Sequence, residues 1–361
     1  MAPGKKGNAM NEATCDVLVV GDGPAGCMAG LTLARAGLRC TMLAPPAPAN
    51  HRGAIDSVPP LVPVLLEAAG LAAHRFADAI VGRFSGIVSD GVARRFYGET
   101  GLSTEQGWHV ERGLFDRVLL NHALEQGLTL RRDRVTDAAC TTKEVVLQTA
   151  KVRHRARWLV DASGRSGLLQ RLLGLATVTH GARMVAWRGV TRMQRVADPD
   201  AQQKTALAMP TFHTSSTGWL WQASLDDGAL AWTWAGDASD AGDANAPPPA
   251  MYPFTTGADD AVTARGFDVS WRLVRPAGGA AYRIVGDAAA MLDPRSGQGV
   301  LFALSSALAA VRSIVAVEQA PHLRALEAAG YDAFVAQEFR RKSDELTRRM
   351  PAPAKEADVT G

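Results

Sequence analysis

Long apolar runs, charge of one sign and paired cysteines are what this sequence lacks. No stretch reaches the ~18 uninterrupted apolar residues expected of a membrane-spanning helix, so no membrane span is expected. The 39 Lys and Arg against 36 Asp and Glu leave a formal charge of +3. That imbalance is too small to point to nucleic acid or to an anionic membrane surface. Cys15, Cys27, Cys40 and Cys140 have neither metal-ligand spacing nor the pattern of a disulfide framework. The first three sit in or beside apolar segments, where a reduced cysteine behaves as a small hydrophobe. The expectation is a cytoplasmic protein. Lys5 and Lys6 precede the first strand without an apolar stretch, unlike a secretory signal, and residues 1–10 and 351–361 read as disordered tails.

What is present is an ordinary globular composition, 47% apolar and 21% charged, in a chain of 361 residues. That length suits two domains or one large interrupted one. Its 35 glycines matter by position. The segment CDVLVV, a glycine turn, the helical AGCMAGLTLARAG and the strand-like RCTMLA follow one another within about thirty residues, the signature of a βαβ unit. A second α/β region runs from about Trp108 to Gly174, with the helix FDRVLLNHALEQG, a hairpin-like stretch over 128–153 and the strand RWLVDASG. A third begins at YRIVGDAAA and continues into a long helix after Gly299; 321–350 is again helical.

Between these regions lie 51–107, of mixed character, and 180–280, strand-like and rich in Trp, with a polar, proline-rich loop at 236–250. In WLWQASLDDGALAWTW a two-residue turn at Asp227-Gly228 is expected. It would set Trp221 opposite Trp234, with Trp219 and Trp232 on the same face. Those rings suit either a sheet core or a substrate wall.

Gly21-Asp22-Gly23-Pro24-Ala25-Gly26 fits G-x-G-x-x-G between a strand and a helix. The first glycine permits the tight turn, the second lets a pyrophosphate approach the backbone, and the third lets helix and strand pack closely. The helix N-terminus then offers free N–H groups to phosphate. Two positions depart from the pattern: Asp22 sets a carboxylate beside the phosphates, and Ala44 stands where an acid would hold the ribose. A second signal is Asp161-Ala162-Ser163-Gly164-Arg165 after a strand, with Asp161 a possible N-cap. A third is Gly286-Asp287-Ala288-Ala289, followed by Pro294-Arg295-Ser296-Gly297-Gln298-Gly299-Val300 before a long helix, a nest for an anion or carbonyl.

The order G-x-G-x-x-G, D-A-S-G-R, G-D-A-A…D-P…G-Q-G resembles the FAD-dependent monooxygenase superfamily of para-hydroxybenzoate hydroxylase, flavin-dependent halogenases and geranylgeranyl reductase. In length and in the D-P-x-S-x-Q-G loop, the chain is most similar to the flavoproteins that mature tryptophan-derived quinone cofactors. The resemblance implies an α/β fold: a Rossmann-like, glutathione-reductase-type FAD domain from 11–50, 105–178 and 278–350, and a mostly antiparallel substrate domain from 51–104 and 179–277. It implies FAD held by Gly21, Gly23, Pro24, Ala25, Gly26, Asp161, Gly286 and Asp287, with Pro294, Gly297, Gln298, Gly299 and Val300 along the isoalloxazine. Ser57, in a segment similar to G-E-S-x-P-P, would run beside the flavin. Arg112 matches an arginine near the cofactor, although a surface role fits the residue equally.

The implied chemistry is hydroxylation of an aromatic substrate, a small molecule or a tryptophan carried by a partner protein, through a flavin C4a-hydroperoxide. Alkene reduction is the alternative. Halogenation fits less well, because there is no lysine between Lys6 and Lys143 where the halogenases place one, and their W-x-W-x-I-P segment is half present as Trp219-Leu220-Trp221. Candidate bases are His51, His109, His180, His213 and Asp56, with no choice among them. One dinucleotide fingerprint leaves NAD(P)H to bind transiently, or reduced flavin to come from a partner reductase.

Overall fold

The computed structural model describes residues 11–46, 54–89, 92–96, 106–192, 209–215, 218–238 and 266–349. The expected tails, His51 and most of the 236–250 loop lie outside these residues.

The chain opens with β1 (Asn11–Thr14), then β2 (Val17–Val20), α1 (Pro24–Arg35) and β3 (Cys40–Ala44). Residues 17–19 of β2 are fully buried, as expected of a strand covered on both faces. Helix α1 starts at Pro24, whose fixed φ and missing N–H suit the first helical position. Next come β4 (Ile55–Val58), α2 (Leu61–Ala68), a 3-10 stretch over Ala73–Ala79, β5 (Ile80–Phe84), β6 (Gly86–Ser89), β7 (Val92–Phe96), β8 (Gly107–Glu111) and α3 (Arg112–Glu125). Then follow β9 (Thr129–Arg132), β10 (Val135–Cys140), β11 (Val145–Thr149), β12 (Val152–Ala156), β13 (Trp158–Asp161) and α4 (Leu168–Leu172). The last stretch holds β14 (Ala176–His180), β15 (Met184–Arg192), β16 (Thr211–Thr214), β17 (Gly218–Ser224), β18 (Ala229–Asp237), β19 (Phe267–Asp268), β20 (Trp271–Arg275), β21 (Tyr282–Ile284), β22 (Ala290–Met291), α5 (Gly299–Gln319) and α6 (Arg324–Arg349).

A five-stranded, wholly parallel sheet in the order β21-β13-β2-β3-β9 is the scaffold of the first domain. The stretch expected to be one hairpin over 128–153 is divided: β9 joins this sheet, while β10, β11 and β12 form a separate sheet with β1. The second layer is a seven-stranded sheet, β19-β15-β18-β17-β16-β6-β7, antiparallel except where β16 meets β6. Small antiparallel sheets of β4-β8-β5 and β14-β20-β22 complete the α/β fold.

The larger apolar core gathers β2, β3, β13, α1, α3 and α5 and also takes in Val62 and Leu66 of α2 and Phe76. Phe76 packs against Phe115 with centroids 5.1 Å apart, so 58–79 belongs to this core. By length and hydropathy α5 could cross a bilayer, with a mean of 2.1 over its best window. Its buried residues, among them Leu304, Ala307, Ala310 and Ile314, instead belong to the core that α1 shares.

The Trp hairpin differs from expectation by one residue. Trp221 faces Thr233, Leu220 faces Trp234, and Gln222 faces Trp232. The turn has three residues, Asp226-Asp227-Gly228: Leu225 N donates to Ala229 O, and Gly228 N to Leu225 O. Gly228 has φ +81°, the left-handed residue that closes such a loop. A one-residue slip exchanges the faces of a strand. Trp219 and Trp221 therefore share one face, and Trp232 and Trp234 share the other with Trp187.

Candidate functional site

The three glycine-bearing turns meet at the C-terminal edge of the parallel sheet. Gly21 has φ +103°, and a Cβ placed on it would lie 2.2 Å from Ala162 O, so the first and second turns touch backbone to backbone. A Cβ on Gly26 would lie 1.9 Å from Gly21 O, and one on Gly286 3.1 Å from the Ala25 Cβ. Gly23 is different: nothing lies within 4 Å of a Cβ built there, and no side chain caps the amides of the first turn of α1. Gly23 faces a cleft of about 1300 Å³, larger than the ~300–1,000 Å³ usual for one drug-sized ligand.

Of the residues expected to hold FAD, Gly23, Pro24, Ala25, Ser57, Arg112, Gly286, Asp287, Pro294, Gly297, Gln298, Gly299 and Val300 line this cleft; Gly21, Gly26 and Asp161 do not. The two glycines shape the turn from behind. Asp161 is fully buried, and its carboxylate accepts from Ser163 N at 2.9 Å and Leu169 N at 2.8 Å. Its side chain secures the loop into α4 and has no free face toward a cofactor.

The departures from the dinucleotide pattern have local explanations. Arg132, at the end of β9, pairs with Asp22, so the carboxylate beside the phosphate position is compensated by a cation distant in sequence. Ala44 is fully buried, and Pro45 lines the cleft instead. The uncapped first turn of α1, the open face of Gly23 and this charge balance fit a pyrophosphate.

Arg112 is placed by the N-cap of α3: Glu111 accepts from Gly113 N at 3.0 Å and Leu114 N at 2.7 Å. Arg112 donates from Nη1 to Asp56 at 2.5 Å, and from Nε and Nη2 to Asp116 at 3.2 and 3.0 Å. Burial pushes the Asp56 carboxyl up, but Arg112, with Arg188 behind it, holds it below the ordinary carboxylate range. Asp116 goes the other way: burial outweighs the same arginine and raises it. Burial also raises Asp287, against the pull of Arg165. In the loop that precedes α5 Asp293, fully buried, accepts from Arg295 N at 2.9 Å and Nε at 2.7 Å.

Among the candidate bases described, only Asp56 lines the cleft. His180 stacks on Trp271 at 5.3 Å, and His213 is exposed on β16. His109 is buried behind the cleft, its Nδ1 2.8 Å from Ser57 Oγ and its ring 4.7 Å from Phe84. Burial pushes its pKa down to about 4 from 6.5, so the ring is neutral. Because the folded value is the lower, the unfolded chain binds this proton first as pH falls. The site carries no penalty above pH ~6.5 and loses stability progressively from there to about pH 4. The expected loss is about 3 kcal/mol. Urea unfolding across that window should show a flatter pH dependence for His109→Gln than for the parent; parallel curves would refute it.

Several residues of the cleft carry no local signal in the sequence: Arg132, Arg188 and Phe267 line it, and Lys342 reaches it from α6, while Arg165 of the D-A-S-G-R segment lines it without being among the residues expected to hold FAD. Lys342 is buried, 3.9 Å from Glu338 and 5.1 Å from the Phe302 ring centroid; burial lowers its pKa against the pull of Glu338. The opposite wall is the large sheet, presenting Phe212, Trp219, Trp221 and Thr233.

Comparison with known proteins agrees with this geometry. The FAD binding domain family matches residues 14–328. The 1H-pyrrole-2-carbonyl-[peptidyl-carrier protein] chlorinase of Pseudomonas fluorescens is 27% identical over 248 residues, 60% of this chain and 55% of that one. The chain spans 44–65% of the lengths of this and two further curated relatives, both flavin-dependent halogenases of Armillaria mellea. Among solved structures, the flavin-dependent halogenase CmlS superposes with a TM-score of 0.78 at 21% identity, covering 91% of this chain and 63% of that one. The peptidyl tryptophan dihydroxylase QhpG gives 0.69 at 22% identity, covering 95% and 77%.

Proposed function

The chain belongs to the FAD binding domain family, and on that premise we propose that it is an FAD-dependent monooxygenase that hydroxylates an electron-rich aromatic ring. The observation that carries this reading is the continuity of the cleft. One space runs from Gly23 at the α1 N-terminus, past Asp287 and the Pro294–Val300 loop, to Phe212, Trp219 and Trp221 on the large sheet. A cofactor held at one end and a ring stacked at the other would meet in the middle.

FAD would be held by the α1 amides at its pyrophosphate, by Asp287 at the ribityl chain and by the Pro294–Val300 loop beside the ring system. When bound and reduced, it supplies activation of oxygen. This chain's residues do the rest. The aromatic wall orients the substrate and excludes water. Asp56, kept ionised by Arg112 and Arg188, accepts a hydrogen bond from a ring N–H or O–H. Its lowered pKa makes it a positioning acceptor more than a strong base. Electrons come from NAD(P)H bound transiently or from a partner reductase. The substrate is a free aromatic molecule or a tryptophan side chain on a partner polypeptide, the kind of substrate named for the peptidyl tryptophan dihydroxylase that shares this fold.

A second reading, halogenation, draws on the halogenase relatives and on Lys342, a buried amine in the same cleft. FAD-loaded protein given reduced flavin, oxygen, halide and a panel of aromatic compounds decides between them. A mass gain of one oxygen atom, lost without oxygen, is expected. Replacement of hydrogen by chlorine or bromine supports the second reading, and product formed anaerobically by a gain of two hydrogens points to alkene reduction.

A further inference from the structure

Two arginines stand at one end of the aromatic wall: Arg165, which has no part in the proposed oxygenation, and Arg188, which enters it only through Asp56. A row of residues crosses the large sheet on its cleft face: Arg188 of β15 opposite Thr233 of β18, Thr233 opposite Trp221 of β17, and Trp221 opposite Phe212 of β16. Every member of that row lines the cleft. Neighbouring strands lie ~4.8 Å apart, so the backbones of Arg188 and Trp221 are about 10 Å from one another. The row is thus cationic at one end and aromatic at the other.

Phe267, on the strand beside β15, carries both guanidiniums, Arg165 at 4.5 Å and Arg188 at 5.3 Å from its ring centroid. Among the described residues neither guanidinium donates a hydrogen bond to the protein. Burial and the neighbouring Arg188 lower the Arg165 pKa, against the pull of Asp287 and Asp56. Arg188 has Asp56 at 3.7 Å, a carboxylate that Arg112 already holds at 2.5 Å. A guanidinium presents a rigid fork of donors matched to an oxyanion. Two such forks set on a single ring, lining a cleft and without a hydrogen-bond acceptor among the described residues, make a receptor for an anion.

We infer that the substrate is a small aromatic acid, whose carboxylate or comparable oxyanion docks between Arg188 and Arg165 while its ring lies along Trp221 and Phe212. This inference rests on the oxygenase reading for the word substrate, but the binding preference stands without it. It favours a free molecule over an uncharged side chain on a polypeptide.

The test titrates oxidised, FAD-loaded protein with matched pairs, indole-3-acetate against indole-3-acetamide and benzoate against benzamide, following the visible spectrum of the flavin. The acids should bind at least about tenfold more tightly than the amides, the effect of one charge-assisted hydrogen bond. Arg188→Gln and Arg165→Gln should each remove most of that preference, and Arg165→Gln should leave amide binding and FAD affinity unchanged. Equal affinity for acid and amide, or no spectral response to any acid, overturns the inference. So does a pair of variants that shift FAD affinity or the flavin potential while keeping the acid preference, since the guanidiniums would then serve the cofactor. If acids are preferred but no ring gains oxygen, it is the oxygenase reading that fails; oxygenation of neutral rings in preference to acids sinks only this inference.

Discussion

Replacing Gly23 with Val should leave a folded protein that no longer retains FAD. The position is extended, with φ −76° and ψ −177°, so a β-branched residue adopts it without strain. No protein atom lies within 4 Å of the added Cβ, so the new methyl groups enter the cleft and not the core. There they stand where a pyrophosphate must approach the first amides of α1. Displacing the phosphates forfeits two or more charge-assisted hydrogen bonds at roughly 1.5–3 kcal/mol each, an affinity loss of about a hundredfold or more. The neighbouring glycines provide the contrast. Alanine at Gly21 or Gly26 drives a Cβ into backbone at 2.2 or 1.9 Å and should destabilise the fold itself. Visible flavin absorbance per chain, read beside a thermal melt of the apoprotein, separates the two effects. Unchanged FAD per chain in Gly23→Val would remove pyrophosphate from this turn.

These glycines explain why so much was legible in the chain. A strand, a turn that only glycine can make and a helix opened by proline are local features, and local features are written in contiguous residues. The convergence of the turns around Gly21, Ala162 and Gly286 is not local; it was readable only because their order and composition resemble a known superfamily. Where neither aid applied, the reading stopped. The Trp hairpin slipped by one residue because a three-residue loop with a left-handed Gly228 and a two-residue turn share the same Asp-Gly letters. Asp161 reads as a cofactor ligand through the resemblance of D-A-S-G, yet its carboxylate accepts from two backbone amides and secures the loop into α4. Arg132 compensates Asp22 across 110 positions, and Arg165, Arg188 and Lys342 reach the cleft from separate elements. No spacing rule links such residues before the chain is folded.

Arg112 is the other substitution with a large expected effect, and its pH dependence identifies the cause. The residue bridges Asp56 and Asp116 inside the cleft, with side chains only 24–31% exposed. Arg112→Leu keeps the stem's bulk and leaves two carboxylates without their shared partner. Removing one partner from a fully buried pair costs about 3–5 kcal/mol. Partial exposure, and Arg188 remaining near Asp56 at 3.7 Å, reduce the expectation to roughly 2–3 kcal/mol at neutral pH. In the parent, Arg112 holds Asp56 below the ordinary carboxylate value. That contribution is present above the unfolded pKa of about 4 and is lost as pH falls through the folded one. In the variant the sign reverses for Asp56 and the upward shift of Asp116 grows, because burial is no longer opposed by Arg112; protonation of the two carboxyls relieves the penalty as pH falls toward 5. The stability deficit of Arg112→Leu against the parent should therefore be largest near pH 7.5 and shrink by half or more at pH ~5, measured by urea unfolding of the apoproteins. A deficit that stays constant with pH would mean that Arg112 acts through packing of its stem, and a variant as stable as the parent would mean that the bridge contributes nothing to the fold.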